Sequence, residues 1–209
     1  SGRLIQTFKG HKSFIESVAF RPDGKQILTG SSDKTAKLWD LTGRVIQTFK
    51  GHAEGVCSVA FSPDGKQVLT GSYDYTAKLW DLSGLELQTF KGHKFFISSV
   101  AFSPDGKTVL TGSRDKTAKL WDLSGKEMQT FIGHSEVVWS VTFSPDGKTV
   151  LTASSDNTAK LWDLTGRVIQ TFTRHAYRVT SVAFSPDGKT ILTGSEDKTA
   201  GLWDLMGHE

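Results

Sequence analysis

Four residues near the start of the chain have the means to do chemistry: the imidazole of His11, the hydroxyl of Thr29, the carboxylate of Asp33 and the indole N–H of Trp39. A histidine paired with an aspartate beside a hydroxyl is the skeleton of a nucleophilic triad. The same four types return as His52, Thr70, Asp74 and Trp80, then as His93, Thr111, Asp115 and Trp121. They return again as His134, Thr152, Asp156 and Trp162, and finally as His175, Thr193, Asp197 and Trp203. A nucleophile is needed once, whereas this set is complete five times, so its repetition argues for structure and against catalysis. Metal binding fits no better, because no two of the repeated histidines lie at a ligand spacing such as His-x-x-x-His. No catalytic residue, metal or cofactor is expected. His208 falls outside the pattern and is expected to be a solvated side chain.

The spacing of these sets is the organisation of the chain. Shifted by 41 residues, the sequence aligns with itself without gaps, giving repeats over 3–43, 44–84, 85–125, 126–166 and 167–207 within a single domain of 1–209. Of the 41 columns, 22 hold one residue type in all five copies, far more than a hydrophobic pattern alone requires. Such sameness points to recent duplication or deliberate design, and scattered departures such as Arg21, Ala153 and Gly201 look more like drift after duplication than a designer's pattern. Within the first copy "LIQTF", "IESVAF", "QILTG" and "TAKLWDL" are rich in β-branched and aromatic residues and bounded by turn residues, so each unit reads as about four strands. The Asp-Gly of "PDGK" marks a tight antiparallel hairpin, and each copy carries its one proline only there. No segment has helical periodicity of useful length, which makes the chain all-β.

A unit of this length, with Gly-His near its start ("KGHKS", "KGHAE", "KGHKF", "IGHSE", and the variant "TRHAY") and Trp-Asp near its end ("LWDL" five times), resembles the WD40 repeat family. The resemblance covers essentially the whole chain. It implies a β-propeller of four-stranded antiparallel blades around a central channel, with five blades encoded here. It also implies that each His-Thr-Asp-Trp set is a hydrogen-bonded tetrad, the imidazole bridging aspartate and hydroxyl and the hydroxyl receiving the indole N–H. The Asp of each Trp-Asp pair (Asp40, Asp81, Asp122, Asp163, Asp204) and the "PDGK" lysines read as scaffold or solvated charge.

In that family the first strand, about Arg3 to Phe8, is the outermost strand of a blade whose inner strands precede it. Here those strands lie at the other end, so the cut permits closure, with the N-terminal strand completing the sheet that ends at Leu205. Family members most often close with seven blades. Five copies therefore leave open a five-bladed ring, a piece of a longer array, or a chain that associates with another copy or with further blades.

Three columns vary most in chemical class: Phe14, Gly55, Phe96, Val137, Arg178; Glu16, Cys57, Ser98, Trp139, Thr180; and Ser32, Tyr73, Arg114, Ser155, Glu196. The resemblance places them on the channel rim, where family members commonly contact protein partners. Aromatic residues and Arg dominate interface hot spots, so Phe14, Tyr73, Phe96 and Trp139 with Arg114 and Arg178 are candidate anchors, and Glu16 and Glu196 candidate acceptors. The expected function is a non-enzymatic scaffold that binds a protein or peptide on this face. The alternative is a propeller fragment that completes itself by association.

Composition is consistent with this reading. Five of the six tryptophans belong to the repeated sets, and Trp139 stands apart. A formal charge of +3 with single, dispersed lysines gives no basic stripe for nucleic acid. No run is long and apolar enough for a membrane span, and the first residues lack signal-peptide order, so a cytoplasmic protein is expected. Cys57 is the one cysteine, which leaves no disulfide framework.

Overall fold

The computed structural model describes residues 2–205, and His208 lies outside them. Its 19 strands form five antiparallel sheets in chain order. The first holds β1 (Ile15–Phe20), β2 (Gln26–Ser31), β3 (Thr35–Asp40) and β4 (Val45–Lys50). The second holds β5 (Val56–Phe61), β6 (Gln67–Ser72), β7 (Ala77–Asp81) and β8 (Glu86–Phe90). The third holds β9 (Ile97–Phe102), β10 (Thr108–Ser113), β11 (Ala118–Asp122) and β12 (Glu127–Phe131). The fourth holds β13 (Val138–Phe143), β14 (Thr149–Ser154), β15 (Ala159–Asp163) and β16 (Val168–Phe172). The last has three strands, β17 (Val179–Phe184), β18 (Thr190–Ser195) and β19 (Ala200–Asp204). Each sheet is a blade, and the innermost strands β1, β5, β9, β13 and β17 follow one another side by side.

Turn chemistry explains the blade's connections. In "RPDG", the N–H of Gly24 donates to the carbonyl of Arg21 at 2.8 Å and Gly24 has φ of 70°. Asp23 is not among the positive-φ residues, so this is a proline-initiated turn closed by a left-handed glycine, not a two-residue hairpin with both central residues left-handed. The Asp-Gly signal located the hairpin, and the preceding Pro, with φ fixed by its ring, selected the longer turn. Between β3 and β4, Asp40 Oδ1 accepts from the N–H groups of Thr42 and Arg44 and from the Thr42 hydroxyl. The hydrogen bond from the Thr42 hydroxyl, aided by those from Arg44 and the Thr42 N–H, outweighs the desolvation that would raise the Asp40 carboxyl and holds it down to about 2. The Asp of Trp-Asp therefore organises the outer turn.

The core lies between blades. Leu28, Ala36, Leu38 and Phe49 of the first blade pack on Val56, Val59, Val68 and Trp80 of the second, all buried. The same columns form the next three junctions. Burying each such aliphatic or aromatic side chain contributes about 1.5–3 kcal/mol, so the junctions and not the isolated sheets carry the stability. Close approach requires a small residue in β2. A Cβ on Gly30 would sit 2.8 Å from Val59 Cγ1, and on Gly71 2.6 Å from Ile97 Cγ2. Ala153 departs from this column and packs with Val179 and Val182, the same residue types that face Gly30, and nothing in the structure explains why this junction alone takes the extra methyl.

The closure that the cut permits is not made: residues 2–14 contain no strand and, among the described residues, the last sheet ends at β19 without a fourth. Closure needs β17 to reach β1, and the two do not pack as the other innermost neighbours do. The five blades form an open arc. The segment around Phe8 instead stays on the first blade, where its ring lies 5.8 Å from that of Trp39, edge to face.

Candidate functional site: an aromatic and arginine cluster on the rim

The tetrads fix the loops that carry the variable columns. In the first blade His11 Nδ1 lies 2.8 Å from Asp33 Oδ2, and His11 Nε2 lies 2.7 Å from Thr29 Oγ1. Trp39 Nε1 donates to the same hydroxyl at 2.8 Å. The Asp33 carboxylate can only accept, so His11 Nδ1–H donates to it; in the neutral ring Nε2 then accepts from the Thr29 hydroxyl, whose oxygen takes the indole N–H. The geometry repeats in every blade, through His52, His93, His134 and His175. Trp80, Trp121, Trp162 and Trp203 donate to Thr70, Thr111, Thr152 and Thr193 in the same way. Both imidazole nitrogens are occupied, so no nucleophile or base is left available.

Burial acts to raise the Asp33 carboxyl, and hydrogen bonds from Thr35, the Lys12 backbone and His11 outweigh it and bring it down to about 2. Asp74, Asp115 and Asp156 are lowered against burial in the same manner, and Asp197 is lowered first by its bond from Thr199. The aspartate's other oxygen accepts from Thr35 N–H and the Thr35 hydroxyl. This pins a turn in which Lys34 takes a φ of 71°. Every copy strains the same position, through Tyr75, Lys116, Asn157 and Lys198. The tetrad thus holds the β2–β3 loop in a shape its sequence does not favour.

Over this frame the variable columns converge in three blades only. The Arg114 guanidinium lies between two rings, 5.6 Å from the centroid of Phe96 and 4.7 Å from that of Trp139. Phe96 meets Tyr73 edge to face at 5.3 Å. Tyr73 lies down because Gly55 has no side chain, and a Cβ there would come within 3.0 Å of its ring. Trp139 Nε1 donates to Ser155 Oγ at 2.6 Å. Tyr73, Phe96, Arg114 and Trp139 are each half-buried, so they are ordered by one another and still present surface.

Two members were missed from sequence. Tyr75 stacks on Phe95 at 5.6 Å with planes 10° apart, and both contact Phe96. Their columns otherwise hold Lys or Asn (Lys34, Lys116, Asn157, Lys198) and Ser, Glu or Tyr (Ser13, Glu54, Glu136, Tyr177). An aromatic in columns that are mostly polar or charged is the available signal, weaker for Phe95 because Tyr177 shares its column. The cluster therefore runs from Tyr75 and Phe95 through Phe96 and Arg114 to Trp139.

The other candidates lie apart from it. Glu16 accepts from the Ser32 hydroxyl, and its charge is felt at Tyr73 and Cys57. Arg178 pairs with Glu196 at 3.0 Å on the fifth blade. Phe14 stands exposed on the first blade, 80% accessible. Cys57 is half-buried, with its thiol 2.8 Å from the Ile97 carbonyl. Burial pushes that thiol up to about 12, which leaves it inert at neutral pH. Among the described residues no group of three or more His, Cys, Asp or Glu is placed to hold a metal.

The family described as IFT122 first beta-propeller matches residues 1–209. Among curated proteins, the Nuclear distribution protein PAC1 of Candida tropicalis is 51% identical over 41 residues, 20% of this chain and 8% of its own. THO complex subunit 6 of Arabidopsis thaliana is 50% identical over 40 residues, 19% of this chain and 11% of its own. The Transcriptional repressor rco-1 of Neurospora crassa is 49% identical over 39 residues, 19% of this chain and 6% of its own. Each match has the length of about one repeat and spans roughly a tenth of the relative or less. With the repeated blades, the tetrads and a family match from end to end, this chain belongs to the IFT122 first beta-propeller family of WD40-repeat proteins.

Proposed function

We propose that the chain is a non-enzymatic interaction module that captures a protein or peptide partner on the rim formed by Tyr73, Phe96, Arg114 and Trp139. The observation that carries this reading is the placement of Arg114 between the rings of Phe96 and Trp139. Two aromatic faces hold the guanidinium plane and leave its edge donors for a partner, which reduces the entropy lost when it binds. A preordered Arg between aromatic walls suits a segment that offers a carboxylate beside an apolar or aromatic side chain. The charge of Glu16, felt at Tyr73, would disfavour an acidic group on that part of the cluster. One relative is by name a subunit of a complex, which accords with an interaction role.

The reading is tested with a peptide selected by display from a library of acidic residues flanked by aromatic ones. Arg114→Ala and Trp139→Ala are expected to lower its affinity at least tenfold, the loss of about 1.4 kcal/mol. Unchanged affinity in both variants would remove the rim as the binding site.

A further inference from the structure

The two ends of the arc are the two halves of one interface. At the four internal junctions, a Leu of the second strand, an Ala and a Leu of the third and a Phe of the fourth meet two residues of the next innermost strand, one of its neighbour and a Trp. Carried one repeat past the fifth blade, the first half becomes Leu192, Ala200 and Leu202 with Phe8, and the second becomes Ile15, Val18, Ile27 and Trp39. Phe8 is already in position, because its 5.8 Å contact with Trp39 repeats the 5.9 Å contact of Phe49 with Trp80. Gln6 is also in position. Its Nε2 donates to the Thr42 carbonyl at 2.5 Å, as Gln47, Gln88 and Gln129 donate to Ser83, Ser124 and Thr165 in the blades that follow them.

The rest of the first half is missing from the first blade. Between the N-terminal segment and β1 lies an apolar groove of about 460 Å³ lined by Phe8, Ile15, Val18, Phe20, Ile27 and Trp39. Val18 is 67% accessible where its counterpart Val59 is 7%. At the far end Leu202 is 61% accessible where Leu38 is 1%. The surface of 10574 Å² also exceeds the roughly 9,600 Å² expected of a compact 22.9 kDa chain.

We propose that a second copy of this chain docks head to tail, its β18–β19 face filling this groove. Residues 3–8 of the first copy then join the second copy's β19 as the fourth strand. The register follows from β15 and β16, where Ala159 pairs with Phe172, Lys160 with Thr171 and Leu161 with Gln170. It sets Ala200 against Phe8, Gly201 against Thr7 and Leu202 against Gln6. Chemistry favours this occupant, since each half finds its complement on the other end and in the junctions this sequence already builds. The contact is heterologous, so it leaves one head and one tail free for further copies. Gly201 stands where other blades carry a lysine reaching the outer-strand threonine, as Lys37 reaches Thr48 at 3.0 Å, so the donated strand forms without that clasp.

The test uses the 209-residue chain. Val18→Asp and Leu202→Asp place a charge on the head and on the tail respectively, at positions accessible enough to spare the internal packing. Wild type is expected to exceed monomer mass in light scattering as concentration rises, and each variant alone to remain monomeric. Their equimolar mixture is expected to stop at twice the monomer mass. Adding Gly201→Cys to V18D and Thr7→Cys to L202D is expected to trap the mixed pair as a disulfide dimer. Wild type that is monomeric throughout, a single variant that dimerises, or a mixture that does not would overturn the head-to-tail docking. A mixed dimer that forms without the crosslink would overturn the strand donation.

Discussion

Two tryptophans of the fourth blade do opposite work. Trp162 is fully buried, donates to Thr152 and packs on Phe131 and His134. Trp139 is half-buried, donates to Ser155 and faces Arg114. One side chain type serves the scaffold through its volume and its closed hydrogen bond, and the rim through its exposed face. The hydrogen-bonded position does not distinguish them, because both indoles donate to a hydroxyl. What differs is what remains uncovered once that bond is made. A column that is uniform across copies reports a need shared by all blades, and one that varies reports a need of one blade.

The comparison can be broken by truncating either ring. Trp162→Ala removes a filled core volume and is expected to cost about 3–5 kcal/mol in urea denaturation, whereas Trp139→Ala is expected to cost no more than about 1 kcal/mol. Equal losses would make Trp139 a second core residue. The indole partners sharpen the point. Thr152→Val keeps the shape but leaves the Trp162 N–H and His134 Nε2 without their partner, an expected loss of about 1–3 kcal/mol. Water can replace the hydroxyl at the rim, so Ser155→Ala is expected to change stability by less than about 0.5 kcal/mol.

Acid should discriminate between the regions as well. The tetrad carboxyls are lowered in the folded state, so their stabilisation is present above the ordinary aspartate range and is lost as pH falls towards the folded values. Stability is therefore expected to decline from about pH 4 towards pH 2. Asp156→Asn is expected to lessen that decline by the share of one tetrad and Ser155→Ala to leave it unchanged, as read from chemical denaturation at each pH.

The tetrads could be read from spacing because each is built within one blade from residues in a fixed register, and the repeat supplies five readings of it. Closure could not be read this way. "LIQTF" and "VIQTF" differ at one position, yet Val168–Phe172 forms β16 and residues 3–8 form no strand. The difference is the presence of a neighbouring third strand, which depends on the curvature of the whole arc. The rim was partly legible. Comparing copies found Tyr73, Phe96, Arg114 and Trp139, and local geometry added Tyr75 and Phe95. It separated Phe14 and the Arg178–Glu196 pair, because column variation marks a position without saying which blades bring their positions together.

A binding role for the rim cluster and a structural role for the tetrads separate when affinity and stability are read on the same variants. The most direct measurement titrates the display-selected peptide into wild type, Arg114→Ala and Trp139→Ala, and records Tm for the same samples. The account predicts affinity lowered at least tenfold, with Tm moved by no more than about 4 °C, the shift that about 1 kcal/mol gives in a domain of this size. Affinity unchanged in both variants, or lost only in step with a collapse of Tm, would contradict it.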